Sequence, residues 1–530
     1  MRNPVYCFTR WGKLDFVVRM RGSRPAGNRL VRAKDPKSVK KTLPAVAPRE
    51  GSGGGRRGLR YGLAAAACAL AVFVAYSEAA MAWPEVVAPG YFISRGGLLY
   101  RDVIFPHPPA LMLLIAVVGK VFGFSAWSLR GLIAVPMAVT AALVVLNTRR
   151  EAFFVSSLLG MSVSILWALY MDGLAVWPDP FVAPIVLGGG LLLERYQRSR
   201  SRRDLVVAAL LLGLCFLFKQ TTVWVALAGM VWVLIRTRSL LETVRYAGWA
   251  AAPGIAFVVG WGAVFRTMAH VDWTIRFVLF SPLRTEIAQI PVWDDIHEII
   301  PVFLIALTGL LLPVALRRRV SPLVFLAVGV IPMGYPRTGL LHSTAVIGLA
   351  AMLTSRATSE AVELFSVQET FPKARLAAAA VGMAAAITAL AVAFVNGGAT
   401  LLDGYHGRLR YWDDGLTEYL TQGVRSRVSR GGTVYLYDLH RDNVYIRTGS
   451  TPPGGFFVNS SLWYLFTPGV DERSVDALSG CHCPVLFHVT GTADGRNGVA
   501  RLQGTRIYRF VSRLPTRGTL DASYLWKQTP

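Results

Sequence analysis

The sequence predicts an α-helical, polytopic membrane protein that crosses the bilayer about eleven times and ends in a small α/β domain. Of its 530 residues, 53% are hydrophobic and only 16% are charged. A soluble protein of this length would carry about 25% charged residues. The apolar residues form runs close to the length of about 20 residues that spans a bilayer. These observations argue against a large soluble core as the main architecture.

The formal net charge of +25 could indicate a nucleic-acid partner. However, most Arg and Lys residues lie in the N-terminal segment and in short loops between apolar runs, which is the pattern that sets the orientation of membrane proteins. We therefore expect no nucleic acid as a partner. The expected surroundings are a lipid bilayer, with anionic headgroups near the basic loops, and the expected location is the cytoplasmic (inner) membrane.

The N-terminal segment, residues 1–60, is basic and ends in GSGGGRRGLR. This composition predicts a mostly disordered cytoplasmic tail. An organelle transit peptide is the alternative, although the usual serine richness is missing. The first predicted span, 61–83, follows Arg56, Arg57 and Arg60, and these arginines favour an N-terminus in the cytoplasm.

The run Ala110–Phe124 is apolar, but it is short for a span and contains Lys120. If it crossed the membrane, the next span would end with Arg149 and Arg150 on the outside, against the charge rule. We therefore predict a helix that lies in the plane of the outer interface, with Lys120 extending to the headgroups. This helix is part of the first outer loop, 84–126.

Every later turn obeys the charge rule, so residues 61–396 are assigned to a transmembrane domain whose C-terminus faces outward. The remaining predicted spans are 127–147, 152–171, 180–194, 205–218, 221–235, 246–265, 298–316, 321–334, 342–354 and 376–396.

Residues 397–530 differ in character, because short strand-like runs such as CPVLFHVTG lie between glycines and prolines. They predict a small extracytoplasmic α/β domain. Cys481 and Cys483 in this region are two ligands at most, too few for a structural zinc site, and no function is assigned to them.

Ionisable residues close to membrane spans are costly and therefore candidates for function. Four groups of them fall on the predicted outer side, where they would line one outward-opening polar cavity. The groups are Glu78, Glu85, Arg101, Asp102 and His107; Asp172 and Asp179; Lys219 and Gln220; Arg337 and His342.

A cavity with both carboxylates and cations suits the transfer of a sugar from a phosphate-linked lipid. A carboxylate can remove the proton from the acceptor hydroxyl as the sugar carbon is attacked. Cations can hold the departing phosphate and stabilise the charge that it gains, Arg as a bidentate ligand and Lys as a point charge.

The segment GGLLYRDVIFPHPPALMLLIAVVGKVFGFSAWSLRG resembles the first outer loop of the GT-C glycosyltransferases, in the branch that includes protein O-mannosyltransferases and the lipid A aminoarabinose transferase. The segments FKQT and YPRTGLLHS look like family features at the ends of later spans, so the resemblance covers about residues 61–354. The matching residues of the first loop are Gly97, Tyr100, Asp102, His107, Pro108, Pro109, Phe122, Gly123 and Arg130.

The resemblance implies the GT-C fold and inverting transfer of a hexose or pentose. The donor would be a polyprenyl-phosphate-linked sugar and the acceptor a hydroxyl of a lipid, a cell-envelope glycan or a protein, on the outer face of the membrane. The family usually has an Asp just after the first span, whereas this chain has SEAAMAWPEVV, with Glu85 nearest to that place and Glu78 earlier. Glu85 or Asp102 would be the base.

The donor phosphate would be bound by four residues: Arg101, Lys219, Arg337 and His342. Secondary candidates are His107, Asp172, Asp179 and Glu78. A divalent metal is compatible with the reaction, but no ligand spacing encodes one and no cofactor is certain.

Each candidate also has a structural interpretation. Glu85 could cap the helix that follows Pro84, and Asp102 could pair with Arg101 to shape the loop. Lys219 could extend to the interface, and Asp179, which precedes Pro180, could cap the fourth span. Two rival functions are a lipid or glycan transporter or flippase, which would show paired interrupted spans, and a non-catalytic scaffold with the same fold.

Overall fold

The computed structural model describes most of the chain after residue 52, with several gaps. The described residues are 53–105, 107–148, 153–171, 173–265, 296–315, 320–334, 342, 344–366, 372–402, 407–437, 441–455, 457–458, 485–489, 508–514 and 522–528. Cys481 and Cys483 lie outside these ranges.

The described residues up to 402 form a helical bundle with two additional helices in its first loop. The helices are α1 (Gly53–Ser77), α2 (Pro84–Ser94), α3 (Ala110–Phe122), α4 (Ala126–Asn147), α5 (Phe153–Tyr170), α6 (Pro178–Ser199), α7 (Arg202–Leu214), α8 (Val223–Thr237), α9 (Leu240–Phe265), α10 (Ile296–Ala315), α11 (Pro322–Val330), α12 (Ile347–Ser366) and α13 (Lys373–Leu402).

Each of the eleven predicted spans overlaps one of these helices, and α2 and α3 fall in the predicted first outer loop. Among the described residues, five helices are long and apolar enough to cross a membrane. Large apolar side chains such as Phe73, Val135 and Ile387 are more than half exposed, as expected of surfaces that face lipid. The protein is a multi-pass membrane protein, and the exact number of its spans stays a prediction.

The first helix differs from its predicted bounds at both ends. It begins at Gly53 rather than Tyr61, so residues 53–60 are helical and not part of a disordered tail. The predicted span followed hydrophobicity alone, but Arg60 is accommodated in the helix: it donates to the Thr148 carbonyl at 3.1 Å and lies over the Phe153 ring. The helix ends at Ser77 because the chain then enters a strand.

The short apolar run predicted to lie in the interface forms a helix, α3, which packs on α2. A Cβ atom at Gly90 of α2 would lie 2.4 Å from Ile115 Cγ2, so glycine permits this close approach. Val117, Val121 and Phe122 are exposed on the far side of α3. Helices α2 and α3 therefore pack directly on each other. The orientation of α3 in the plane of the membrane stays a prediction.

Small residues also allow the other helices to pack closely, as is common in membranes. A side chain at Gly213 of α7 would place its Cβ 2.1 Å from the Ala250 carbonyl oxygen of α9. Helix starts are defined by local capping: Ser125 and Ser128 form a reciprocal capping box at α4, and Ser321 caps α11.

Beyond residue 402, the described chain contains two helices and six strands. The helices are α14 (Gly415–Arg425) and α15 (Asn443–Thr448). The strands are β3 (Leu409–Arg410), β4 (Tyr435–Tyr437), β5 (Phe457–Val458), β6 (Val485–Val489), β7 (Tyr508–Leu514) and β8 (Ala522–Gln528); β1 (Ala80–Met81) and β2 (Val103–Ile104) belong to the first loop.

Two short parallel strand pairs connect this C-terminal region to the first loop. β1 pairs with β3 and β2 pairs with β5, while Asn443 Nδ2 donates to the Ala82 carbonyl at 3.1 Å. A separate four-stranded mixed sheet has the order β4-β6-β8-β7, with β4 and β6 parallel and the other pairs antiparallel. An α/β composition is therefore present, whereas the domain boundaries and the extracytoplasmic location stay predictions.

Candidate active site

A buried cluster of three side chains, Lys219, Asp179 and His342, lies at one end of the helical bundle; we call it the Lys219 cluster. Lys219 Nζ donates to both carboxylate oxygens of Asp179 at 2.9 Å and lies 3.0 Å from His342 Nδ1. Asp179 is fully buried and Lys219 is 4% exposed. This geometry brings together three side chains that lie far apart in the sequence.

The residues around Asp179 and Lys219 determine where the two side chains of this ion pair lie. Pro178 starts α6, so Asp179 lies in the first turn, where a carboxylate interacts favourably with the helix dipole. Lys219 follows α7 and a 3₁₀ turn, Cys215–Leu217, and its extended backbone separates that turn from a second one, Gln220–Thr222. The Phe181 and Phe218 rings stack beside the pair, with centroids 6.1 Å apart.

The contacts of Lys219 determine what it can offer a ligand. A lysine ammonium has three N–H donors, and the two Asp179 oxygens and His342 Nδ1 account for three acceptors. When Lys219 donates to Nδ1, the proton of neutral His342 is on Nε2. Lys219 therefore acts mainly as a fixed positive charge, while His342, whose side chain is 21% exposed, is nearer to solvent.

The loop that contains the YRD motif lies next to this cluster. His107 Nδ1 and Gln220 Oε1 are 3.1 Å apart, and Tyr100 Oη donates to the His107 carbonyl at 2.7 Å. The pKa of His107 is lowered to about 4, mainly by burial. The hydrogen bond with Gln220 raises this pKa, and the positive charge of Lys219 lowers it further. His107 is therefore neutral near pH 7, and donation from Nδ1 to Gln220 leaves Nε2 as an acceptor.

Tyr100 adopts a left-handed backbone conformation, with φ of 68°, which is unusual for an aromatic residue. Its backbone N–H donates to the Val103 carbonyl at 2.7 Å, and its ring packs on Trp261 with centroids 5.7 Å apart. Residues held in such conformations cluster at functional sites, which makes this turn a candidate part of the site.

Trp177, immediately before α6, connects the two histidines. The centroid of its ring lies 5.8 Å from the centroid of the His107 ring and 5.9 Å from that of the His342 ring. On another side it lies 5.8 Å from the Trp83 ring. These aromatic contacts form a partly enclosed wall beside the Lys219 cluster.

Glu85 lies in the first turn of α2, close to that wall. Trp83, two residues earlier, packs on the Tyr411 ring at 5.0 Å. Burial raises the pKa of Tyr411, the charge of Arg441 opposes this, and the negative charge of Glu85 adds to the increase. Glu85 is thus a partly exposed carboxylate beside Tyr411, within the region that the C-terminal segment covers.

Asp102 has contacts that shape the YRD turn. Its carboxylate accepts from Arg101 Nε and NH2, both at 2.8 Å, and from the Leu98 backbone N–H at 2.9 Å. Its own carbonyl accepts from Phe457 N. These contacts match the structural interpretation in which Asp102 pairs with Arg101.

Glu78 is buried at the end of α1, and its backbone carbonyl accepts from Arg130 at 2.9 Å. The same Arg130 nitrogen donates to the Ala75 carbonyl, so Arg130 caps the helix. Arg337 and Asp172 lie outside the described residues. In the part of the chain that the structure describes, no group of three or more His, Cys, Asp or Glu side chains is placed to hold a metal ion, and a divalent metal stays a prediction.

Sequence reasoning placed Lys219, Asp179 and His342 on one face but did not pair them. It also did not assign roles to Trp177, Trp83 or Tyr411. The available signal was that FKQ ends one apolar run and WPDP begins another on the same predicted side of the membrane.

Comparisons with known proteins agree with this architecture. Residues 106–261 match the family model described as dolichyl-phosphate-mannose-protein mannosyltransferase. No curated protein matches the chain.

Two solved structures of ArnT from Cupriavidus metallidurans, one bound to undecaprenyl phosphate and one in the apo state, are each 13% identical to this chain. Both similarities cover 89% of this chain and 98% of ArnT, with TM-scores of 0.53 and 0.54. The Archaeoglobus fulgidus oligosaccharyltransferase in its apo form is 12% identical, with 90% of this chain and 75% of that one covered, and its TM-score of 0.42 is too low to support a fold assignment.

Proposed function

We propose that this chain, whose resemblance to the GT-C membrane glycosyltransferases is confirmed, transfers a sugar from a polyprenyl-phosphate donor to a hydroxyl acceptor. The observation that carries the proposal is the buried Lys219 cluster at the end of the bundle that also bears the YRD turn. The acceptor would be a lipid, a cell-envelope glycan or a protein. The sugar would be a hexose or a pentose.

The cations of the site would bind the leaving phosphate. Lys219 would supply positive charge from a fixed position, because Asp179 holds its ammonium with two hydrogen bonds. His342 Nε2–H would donate to a phosphate oxygen directly. Such preorganised groups stabilise the charge that develops on the leaving group without needing to reorient. Arg101 and Arg337 stay proposed phosphate ligands.

His107 would have a different role from these cations. Its neutral ring, with Nδ1–H directed at Gln220, would present a lone pair on Nε2. A lone pair suits a hydroxyl of the sugar or of the acceptor better than a phosphate oxygen.

The reaction would be a single displacement that inverts the sugar carbon. Glu85 is the favoured base, because it is the carboxylate nearest to the place where the family has an Asp after the first span. Glu85 would take the acceptor proton as the acceptor oxygen bonds to the sugar carbon and the bond to phosphate breaks. The phosphate would leave with its electron pair toward the Lys219 cluster.

The predicted orientation fits this chemistry. With the N-terminus in the cytoplasm, the Lys219 cluster and the C-terminal region would face the outer side of the inner membrane. A reporter fused after Pro530 would then be extracytoplasmic, and a cytoplasmic reporter would contradict the orientation.

The direct test is an assay of the purified full-length chain in lipid nanodiscs with a panel of polyprenyl-phosphate sugars. We expect release of polyprenyl phosphate together with a glycoside of inverted configuration, measured by mass spectrometry and NMR. Glu85→Gln serves as the inactive control. Failure to transfer or hydrolyse any sugar of the panel would contradict the proposal.

A further inference from the structure

A polar cavity lies at the opposite end of the bundle from the Lys219 cluster. It has a volume of about 400 Å³ and opens between α4, α6, α10, α11 and α12. α6 connects the two places: Asp179 is in its first turn and Glu194 near its other end, which is about 22 Å away at 1.5 Å per residue. The volume falls within the usual range of ligand pockets, about 300–1,000 Å³.

The floor of the cavity is charged and buried. Arg356 donates to both carboxylate oxygens of Glu194, and Ser321 Oγ donates to the same carboxylate; we call these three residues the Arg356 cluster. Glu194 is 8% exposed, Arg356 9% and Glu360, also in the wall, 4%. Burying so many charges costs desolvation free energy. The charged floor is therefore a specific polar site and not a packing defect.

The polar side of α12 is held in place behind that floor. Ser359 Oγ lies 2.9 Å from Ser156 Oγ, and Ser355 Oγ lies 3.1 Å from Thr148 Oγ1. These hydrogen bonds fix the rotation of α12 and therefore the direction in which Arg356 and Glu360 point.

The mouth of the cavity has a different character from its floor. Arg198 and Asn147 line the cavity and are exposed. A cation therefore lies at the opening, while the carboxylate of Glu360 lies deeper. The described lining residues include two cations, Arg198 and Arg356, and two carboxylates, Glu194 and Glu360.

We propose that this cavity binds the headgroup of a phospholipid that carries a primary ammonium, such as phosphatidylethanolamine. The phosphate of such a lipid is attached to the glycerol and would remain at the mouth beside Arg198. Its ammonium is at the far end of the headgroup and would reach the Glu360 carboxylate. This site is independent of the proposed transfer reaction.

The test is lipid retention by the purified full-length protein, measured by native mass spectrometry with lipids of identical acyl chains. Phosphatidylethanolamine, phosphatidylcholine and phosphatidylglycerol are compared. We expect about tenfold stronger retention of the ethanolamine lipid than of the choline lipid, because methylation removes the N–H donors that a charged hydrogen bond needs. The unfolding midpoint should rise in the same order.

Two variants separate the contributions of mouth and floor. Glu360→Gln should remove the preference for ethanolamine over choline while leaving retention of the choline lipid. Arg198→Gln, at an exposed position that folding tolerates, should weaken retention of all three lipids. Arg203→Gln, an exposed arginine at the start of α7 that does not line the cavity, is the matched control and should change neither.

Equal retention of the ethanolamine and choline lipids would overturn the proposal, as would a preference that survives Glu360→Gln. Loss of binding in Arg203→Gln equal to that in Arg198→Gln would show general basic attraction instead. Soluble glycerophosphoethanolamine separates the two sources of this headgroup: if it raises the unfolding midpoint as much as the lipid does, the ligand is not a membrane lipid.

Discussion

The two ends of the bundle each contain a buried ion pair, and the two pairs are built differently. At one end Lys219 donates hydrogen bonds to Asp179 and lies within hydrogen-bond distance of His342. Aromatic rings and the partly exposed Glu85 lie nearby. At the other end two guanidinium nitrogens of Arg356 donate to the Glu194 carboxylate, and the Ser321 hydroxyl donates to the same carboxylate.

The difference indicates what each pair does. A lysine ammonium is a compact point charge that stabilises a nearby anion without a bidentate contact, whereas the planar guanidinium of arginine is matched to one bidentate carboxylate. We infer that the Lys219 cluster supplies fixed positive charge to a bound phosphate and that the Arg356 cluster mainly holds α6 and α12 together. If chemistry and architecture are separated in this way, substitutions at the two ends of the bundle should have different effects.

The largest effect is expected at Glu85. Glu85→Gln should lower the rate of sugar transfer by about 10²–10⁴-fold, the range for loss of a general base, because Gln cannot accept the proton. Glu242→Gln makes the same chemical change at the opposite end and should leave the rate within about twofold. Steady-state transfer assays measure both. Asp102→Asn should cost less than Glu85→Gln, and the reverse order would assign the base to Asp102.

The Lys219 cluster should affect turnover more than the Arg356 cluster does. The double variant Asp179→Asn/Lys219→Met removes the pair without leaving a buried charge and should lower turnover by about 10²–10³-fold. The matched double variant Glu194→Gln/Arg356→Met should retain most turnover in the protein that folds. Equal losses at both ends would refute the separation.

Removing only one partner of the Arg356 cluster should reduce stability. Arg356→Met leaves the Glu194 carboxylate buried, which is expected to cost about 3 kcal/mol of unfolding free energy. The double variant Glu194→Gln/Arg356→Met should recover a large part of that loss. Thermal unfolding followed by intrinsic fluorescence would measure it, and a double variant less stable than Arg356→Met would contradict this account.

The smallest effect concerns pH and His107. Its pKa is lowered to about 4 in the folded protein, from about 6.5 in an unfolded chain. The unfolded state therefore binds more protons between these values, so the contribution of His107 is present above pH 6.5 and is lost as pH falls toward 4. Wild type should lose up to roughly 2 kcal/mol more stability than His107→Gln over that window. Parallel pH dependence in the two proteins would show that His107 is not desolvated.

Hydrophobic runs and flanking arginines were enough to place the helices, because both report directly on the bilayer. The same rules located the segments that carry Lys219, Asp179 and His342 on one side. They could not reveal which side chains touch. The Asp179–Lys219 pair joins positions 40 residues apart and depends on helix rotation, which neither hydropathy nor charge specifies.

The first loop also contains contacts that the sequence could not predict. The pattern YRD marked a candidate site, but the pairing of Asp102 with Arg101 and the contact of Phe457 with this turn need coordinates. The start of α1 at Gly53 was also hidden, because Arg56, Arg57 and Arg60 looked like a tail. Arginine side chains are in general long enough to leave an apolar layer while a helix continues.

The central claim is that the Lys219 end of the bundle transfers a sugar from a polyprenyl phosphate. The most direct measurement is the anomeric configuration of the product that purified protein makes from a polyprenyl-phosphate sugar in nanodiscs, compared with Glu85→Gln. Wild type should produce an inverted glycoside and the variant almost none. A retained configuration, or full turnover by Glu85→Gln, would contradict it.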